Sequence, residues 1–240
     1  MRYLVTGSAG FIGRHVCSAL LSGGNEVVGL DCYTEYYDPI RKRANTASFS
    51  AAPAFTEVEL DLTVAPLDDL LDGVDAVVHL AGQPGVRLSW AEGFATYVDR
   101  NVNASQRLLE AARRTRVPRV VLASSSSVYG DGLQVRDFTY VGDVAAATIA
   151  ATVAEVAPGT VLNIAGGSSA TVAHVLDLVG AAVGRDVSVE RLAPQPGDVR
   201  VTGAAIDRAH DLLGWAPEVP LDEGVARQVE HHLGAAVVAR

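Results

Sequence analysis

The segment Thr6-Gly7-Ser8-Ala9-Gly10-Phe11-Ile12-Gly13 constrains this chain more than any other. It lies between an apolar strand-like run, Arg2–Thr6, and a run with helical spacing, Phe11–Leu21. Gly7 permits the tight turn that leaves the strand. Gly10 lets the backbone approach a pyrophosphate, and Gly13 lets the helix pack close to the strand. Free N–H groups at the helix start, together with its dipole, then hold phosphates. Asp31 closes the next strand-like run, about 18 residues beyond Gly13. A carboxylate there accepts hydrogen bonds from the adenosine ribose hydroxyls and repels a 2′-phosphate. The pattern points to NAD rather than NADP.

The residues that follow extend this reading to a fold. Apolar runs at Glu26–Leu30, Ala54–Leu60, Ala76–Leu80 and Arg119–Ala123 read as strands, with a long helix over Phe94–Arg113 between the last two. Val, Leu and Ile without polar alternation suit strands buried on both faces. Strands alternating with helices predict right-handed crossovers and a parallel sheet. On the first helix, Phe11, Ile12, Val16, Ala19 and Leu20 form the expected apolar face; on the long one, Val98, Val102, Leu108, Leu109 and Ala112 do. The second half predicts a strand over Leu133–Tyr140, a helix over Val141–Val156 and strands at Thr160–Ile164 and Asp186–Leu192. It also predicts helices at Thr171–Val183 (Thr171 as N-cap), Ala204–Leu213 and Leu221–Leu233. The expected fold class is α/β: a Rossmann-type doubly wound parallel sheet with a small C-terminal substrate-binding subdomain. Residues 1–131 form the dinucleotide-binding domain, and 132–240 supply its remaining elements and the subdomain.

Composition excludes several other classes. A net charge of −9 argues against nucleic acid as partner. No apolar run reaches the roughly 18–20 residues of a membrane helix. Cys17 and Cys32 cannot build a disulfide framework, and no metal-ligand spacing is present, so no metal is expected. A reducing, cytoplasmic setting is the expectation. Lys42 is the only lysine, so a mechanism needing a buried, titratable lysine has one candidate.

The glycine spacing Gly-x-x-Gly-x-x-Gly resembles the extended branch of the short-chain dehydrogenase/reductase family, whose members modify nucleotide sugars. Further segments agree: Val58-Glu59-Leu60-Asp61-Leu62, His79-Leu80-Ala81-Gly82, Asn101-Val102 and Ser124-Ser125-Ser126-Ser127-Val128-Tyr129-Gly130. So do Arg136-Asp137-Phe138-Thr139-Tyr140, Asn163-Ile164, Gln195-Pro196-Gly197-Asp198-Val199 and Leu213-Gly214-Trp215. Within the branch, Tyr33–Arg41 and Gln83-Pro84-Gly85-Val86-Arg87 look most like UDP-glucuronate 4-epimerases.

The resemblance implies an NAD-dependent nucleotide-sugar 4-epimerase of the UDP-glucuronate or UDP-glucose type, acting by transient hydride transfer. Gly7, Gly10, Phe11, Ile12, Gly13, Asp31, Asp61, Leu62, Leu80, Ala81, Gly82, Asn101 and Ser124 would hold NAD. Arg87, Arg136, Gln195 and Asp198 would hold the nucleotide sugar, a UDP-sugar. Ser125, Ser126 and Ser127 would supply the catalytic hydroxyl.

The family's base is a Tyr with a Lys four residues later, and this chain contains no Tyr-x-x-x-Lys. In the family, several tens of residues separate the counterparts of Gly130 and Arg136; here only Asp131–Val135 intervene. The serine strand persists and the base does not; Tyr129, Tyr140 and Tyr37 (with Arg41) are the substitutes at hand. The alternative is therefore a catalytically impaired NAD and nucleotide-sugar binding protein. A homodimer is also implied, although the helix that builds its interface belongs to the missing segment; apolar surface on the Phe94–Arg113 helix should then be uncovered. A natural deletion, an engineered excision and a segment dropped from the sequence are three origins compatible with the gap.

Overall fold

In the computed structural model the central strands are buried on both faces, while the two edge strands of the sheet, Phe55–Glu59 and Arg119–Leu122, are buried only in part. The structure describes residues 1–36, 38–85, 93–124, 134–189 and 200–238. The chain divides into two units, Met1–Ser127 with Thr148–Ala154, and Val128–Ala147 with Glu155–Arg240.

In the first unit, β1 (Arg2–Thr6), β2 (Glu26–Asp31), β3 (Phe55–Glu59), β4 (Ala76–His79) and β5 (Arg119–Leu122) form one parallel sheet. Its order is β3-β2-β1-β4-β5. This is the doubly wound α/β arrangement. From β1 the strands are added first toward one edge and then, with β4, toward the other, which opens a crevice at the carboxyl ends of β1 and β4. Leu4, Val5, Ala76, Val77 and Val78 are wholly buried, as the unbroken apolar runs predict. Burying a Val or Leu side chain stabilises by about 1.5–3 kcal/mol, so these central strands anchor the crevice.

Helix α1 (Phe11–Ser22) packs on the sheet through Gly13, Val16, Cys17 and Leu20. The expected face is corrected at two positions: Phe11 and Ala19 are exposed. The helix starts so close to β1 that Gly13, not a large side chain, takes the contact. One helix was not expected, α2 (Pro39–Thr46); the short α3 (Leu67–Leu70) carries Asp68 and Asp69 in its first turn. Asp38 caps α2 by accepting from the Ile40 N–H at 2.9 Å, and Pro39 supplies a preset first turn.

The long helix is interrupted. It runs as α4 (Phe94–Tyr97), a π-helical turn over Val98–Asn103, and α5 (Ala104–Thr115). Leu108 and Ala112 are buried, whereas Val102 and Leu109 stand exposed, so part of its apolar face is uncovered. Strand β5 ends the sheet, with Leu122 exposed. Thr160–Ile164, one expected source of an edge strand, is not a strand and falls in the other unit.

In the second unit, β6 (Val135–Asp137) pairs antiparallel with β7 (Ser169–Thr171), a strand the sequence did not announce. Thr171 caps α7 (Val172–Val183) as expected, its hydroxyl accepting from the His174 N–H. Helix α6 (Val141–Val153) is divided between the units; α8 (Asp207–Leu213) and α9 (Leu221–Val238) belong to the second. Ala147, Ala209 and Trp215 form its buried centre, and the Trp215 indole N–H donates to the Asp143 carbonyl at 3.0 Å. Asp186–Val189 is not a strand; the rest of that expected element lies outside the described residues. No helix among the described residues is long and apolar enough to cross a membrane.

Candidate cofactor site

The site begins where β1 turns into α1. Gly7 has φ +72°, a left-handed conformation that favours glycine, and a Cβ there would stand 2.9 Å from the Ala81 nitrogen. A Cβ on Gly13 would stand 2.0 Å from the Gly7 carbonyl oxygen. The turn therefore closes only with hydrogen at both positions. Gly10 precedes the helix in extended conformation, and its carbonyl accepts the Arg14 N–H at 3.1 Å. Phe11 and Ile12 open the helix, where backbone N–H groups have no intrahelical acceptor.

Asp31, at the end of β2, joins the second strand to this turn. Its Oδ2 accepts the Ala9 N–H at 3.2 Å, and its Oδ1 accepts the Tyr33 N–H at 2.9 Å. Lys42 Nζ on α2 stands 2.8 Å from the same Oδ1, and both side chains are almost wholly buried. Asn45 Nδ2, one turn along α2, donates to the Ala9 carbonyl at 2.9 Å. Arg43 lies 4.3 Å over the Tyr33 ring and pairs with Glu59, while the Tyr33 hydroxyl donates to Glu57. Burial, then the hydrogen bond to Glu57, push the Tyr33 phenol up to about 12. Helix α2 is thus latched to the glycine turn, to β2 and to β3.

Asp61 and Leu62 follow β3. Leu62 is buried in the core, and Asp61 accepts the Thr63 N–H at 2.8 Å and its hydroxyl at 2.6 Å. Burial alone would raise the Asp61 carboxyl; the two Thr63 hydrogen bonds and the positive Arg100 outweigh it and leave the carboxyl below its usual value. Leu80 and Ala81 leave β4 directly against Gly7, and Gly82 follows against the Asn101 side chain. Asn101, in the π-helical turn, is turned to this loop: its Oδ1 accepts the Gln83 N–H at 2.6 Å and its Nδ2 donates to the Gln83 carbonyl at 3.1 Å. Ser124, just past β5, is exposed.

The sequence analysis noted Lys42 only as the sole lysine and did not place it, Asn45 or Tyr33 beside the glycine turn. The signal was present in Asp38-Pro39, a cap followed by a helix-starting proline, which would have placed Lys42 and Asn45 three apart on one helix. Arg136 belongs to the second unit. Its guanidinium is buried and donates to the carbonyls of Val135 at 2.8 Å and Arg200 at 3.3 Å. Arg87, Ser125, Ser126, Ser127, Tyr129, Gln195 and Asp198 lie outside the described residues, as does Tyr37.

A cradle of this kind, at a sheet's switch point, has relatives. The sequence model of the NAD dependent epimerase/dehydratase family matches residues 3–134 and 127–165. The chain belongs to that family. The match comes in two segments that overlap at residues 127–134. A UDP-glucuronate 4-epimerase of Thermodesulfobacterium geofontis is 28% identical over 308 aligned positions, covering 95% of this chain and 94% of that protein. An uncharacterized UDP-glucose epimerase of Bacillus subtilis, YtcB, is 28% identical over 311, covering 96% and 98%. These alignments are longer than the 240-residue chain, so the relatives hold residues that this chain lacks. Among solved structures, the UDP-glucuronic acid 4-epimerase of Bacillus cereus, in complex with UDP-glucuronic acid and NAD, superposes with a TM-score of 0.90. It is 26% identical, covering 98% of this chain and 100% of that one.

Proposed function

We propose that this chain is an NAD-dependent nucleotide-sugar 4-epimerase, with UDP-glucuronate as its first candidate substrate. The observation that carries the reading is the cradle: Gly7 and Gly13 let strand, loop and helix approach more closely than any side chain would permit, and Asp31 is tied to the turn through the Ala9 N–H. Gly7, Gly10, Phe11, Ile12 and Gly13 would hold the pyrophosphate through backbone N–H groups. Asp31 would take the adenosine ribose hydroxyls, with Lys42 fixing its carboxylate, and Asp61 and Leu62 would border the adenine. Leu80, Ala81 and Gly82, held by Asn101, would line the other wall, with Ser124 beyond them. NAD would supply a hydride acceptor. Residues 1–131 would bind it, and residues 132–240 would contribute the nucleotide-sugar part through Arg136, Gln195 and Asp198, with Arg87 from the first domain. Ser125, Ser126 and Ser127 would orient the reacting hydroxyl. The setting would be the reducing cytoplasm, in keeping with the free thiols Cys17 and Cys32.

One observation favours a second reading. No tyrosine in the chain is followed four residues later by lysine, and the single lysine is buried against Asp31. Proton transfer from a sugar hydroxyl needs a base within hydrogen-bond reach. Without one, the chain would bind NAD and a UDP-sugar and not turn them over. Chromatography of UDP-glucuronate after incubation with the protein and NAD separates the readings. A UDP-galacturonate peak supports the epimerase and points to Tyr129 and the serine strand for mutation. No product, with both ligands raising the melting temperature, supports the binding protein.

A further inference from the structure

Five polar groups behind the crevice form a chain whose donors and acceptors can all be assigned. The Ala81 N–H donates to Thr6 Oγ1 at 3.2 Å. Thr6 Oγ1 lies 2.7 Å from His79 Nδ1, and His79 Nε2 lies 2.9 Å from Ser105 Oγ. The Ser105 hydroxyl donates to the Asn101 carbonyl at 2.8 Å. Ser105 has one proton and gives it to Asn101, so its bond to His79 must be received from the ring: Nε2 carries hydrogen. A neutral imidazole then has a bare Nδ1, which accepts the Thr6 hydroxyl. Every donor has an acceptor only in this direction. The opposite tautomer would leave the Thr6 hydroxyl proton unplaced in the core, where Thr6 is wholly buried and His79 nearly so.

The chain returns to where it began. The Asn101 side chain grips both backbone groups of Gln83, two residues beyond Ala81. Arg100 adds a bond from its guanidinium to Gln83 Oε1 at 3.0 Å. The π-helical turn that carries Asn101 is a feature that recurs at functional sites. We infer that His79, fixed as the neutral Nε2–H tautomer, is a positioning residue that closes a ring of hydrogen bonds and holds the Ala81–Gln83 loop against Gly7. The ring runs Ala81, Thr6, His79, Ser105, Asn101, Gln83. It sets the wall opposite the glycine turn, and its effect on cofactor binding rests on the NAD reading above.

Three measurements test the ring, the first two without cofactor. Long-range proton–nitrogen NMR of the histidine-labelled protein should show one ring with unprotonated Nδ1 and protonated Nε2, absent from His79→Gln. A protonated Nδ1 at His79 would overturn the inference. Ser105→Ala alters only a half-buried side chain and keeps a second test open if His79 variants fold poorly. Its Gln83 amide should exchange with solvent about tenfold faster than in the wild type, with the β1 and β4 amides unchanged. Unchanged Gln83 exchange would overturn the ring. NAD affinity should then fall about tenfold in Ser105→Ala and His79→Leu, with partial recovery in His79→Gln, which keeps a donor and an acceptor. Equal affinity in all four proteins would overturn the positioning role. If the wild type binds no NAD, the functional reading fails, and the tautomer and exchange results still decide the ring.

Discussion

Lys42 Nζ stands 2.8 Å from Asp31 Oδ1, with both side chains almost entirely out of solvent. The carboxylate proposed to meet a ribose is therefore already paired with a positive charge. The same oxygen accepts the Tyr33 N–H and its twin accepts the Ala9 N–H, so Asp31 is held from three sides.

Removing one member of such a pair leaves an uncompensated charge in the core. Lys42→Met should lose about 3–5 kcal/mol of unfolding free energy in urea titrations. Pairing it with Asp31→Asn should restore much of that loss, because no buried charge remains. A single variant as stable as the wild type would show that the pair does not hold α2.

The glycine turn predicts a steric result. A methyl group on Gly13 would press on the Gly7 carbonyl at 2.0 Å, so helix or turn must move. Gly13→Ala should cost about 1–3 kcal/mol by overpacking. It should also weaken NAD binding, because the displaced backbone is the proposed phosphate cradle. Gly24→Ala is the control for backbone strain away from the site, since Gly24 also has positive φ with open space around it. Its melting temperature should fall and its NAD affinity should not, as read by calorimetry.

Much of the first unit was legible because its physics is local. Unbroken Val and Leu runs mark strands buried on both faces, and glycines between strand and helix mark the phosphate turn. The π-helical turn at Val98–Asn103 was not legible; nothing in periodicity distinguishes it from the α-helix on either side. Helix α2 was missed because Pro39–Thr46 carries almost no apolar residue to mark a helical period; its inward residue, Lys42, is buried by its partner in β2. Thr160–Ile164 has strand composition, yet no sheet edge reaches it; pairing is a tertiary outcome that β-propensity does not encode. Phe11 was assigned inward by helical spacing and lies outward because the glycine contact takes the inner position.

Acid should loosen the first unit through His79. Burial lowers its ring from 6.5 to about 4. Between these values the unfolded chain binds the proton and the folded chain does not, so stability falls as pH drops through the window and levels off below it. The contribution is at most about 3 kcal/mol. Urea unfolding at pH 7 and pH 4.5 should show the wild type losing about 2 kcal/mol more than His79→Gln. Equal losses would place the His79 ring pKa near that of a solvated histidine.

The cap on α2 makes a smaller, separable prediction. Asp38→Ala removes the acceptor for the Ile40 N–H and should cost about 1 kcal/mol. Because α2 carries Lys42 to Asp31 and Asn45 to the Ala9 carbonyl, at the proposed adenosine end, NAD affinity should fall in step, measured by titration calorimetry. An affinity that holds while stability falls would mean that α2 is latched by Asp31 alone.

Titration of NAD and NADP into the purified 240-residue protein tests the central claim most directly. The account predicts one saturable site for NAD, with NADP weaker because its 2′-phosphate would meet Asp31, and loss of the site in Gly13→Ala. No saturable heat with NAD, from protein shown by circular dichroism to be folded, would contradict it.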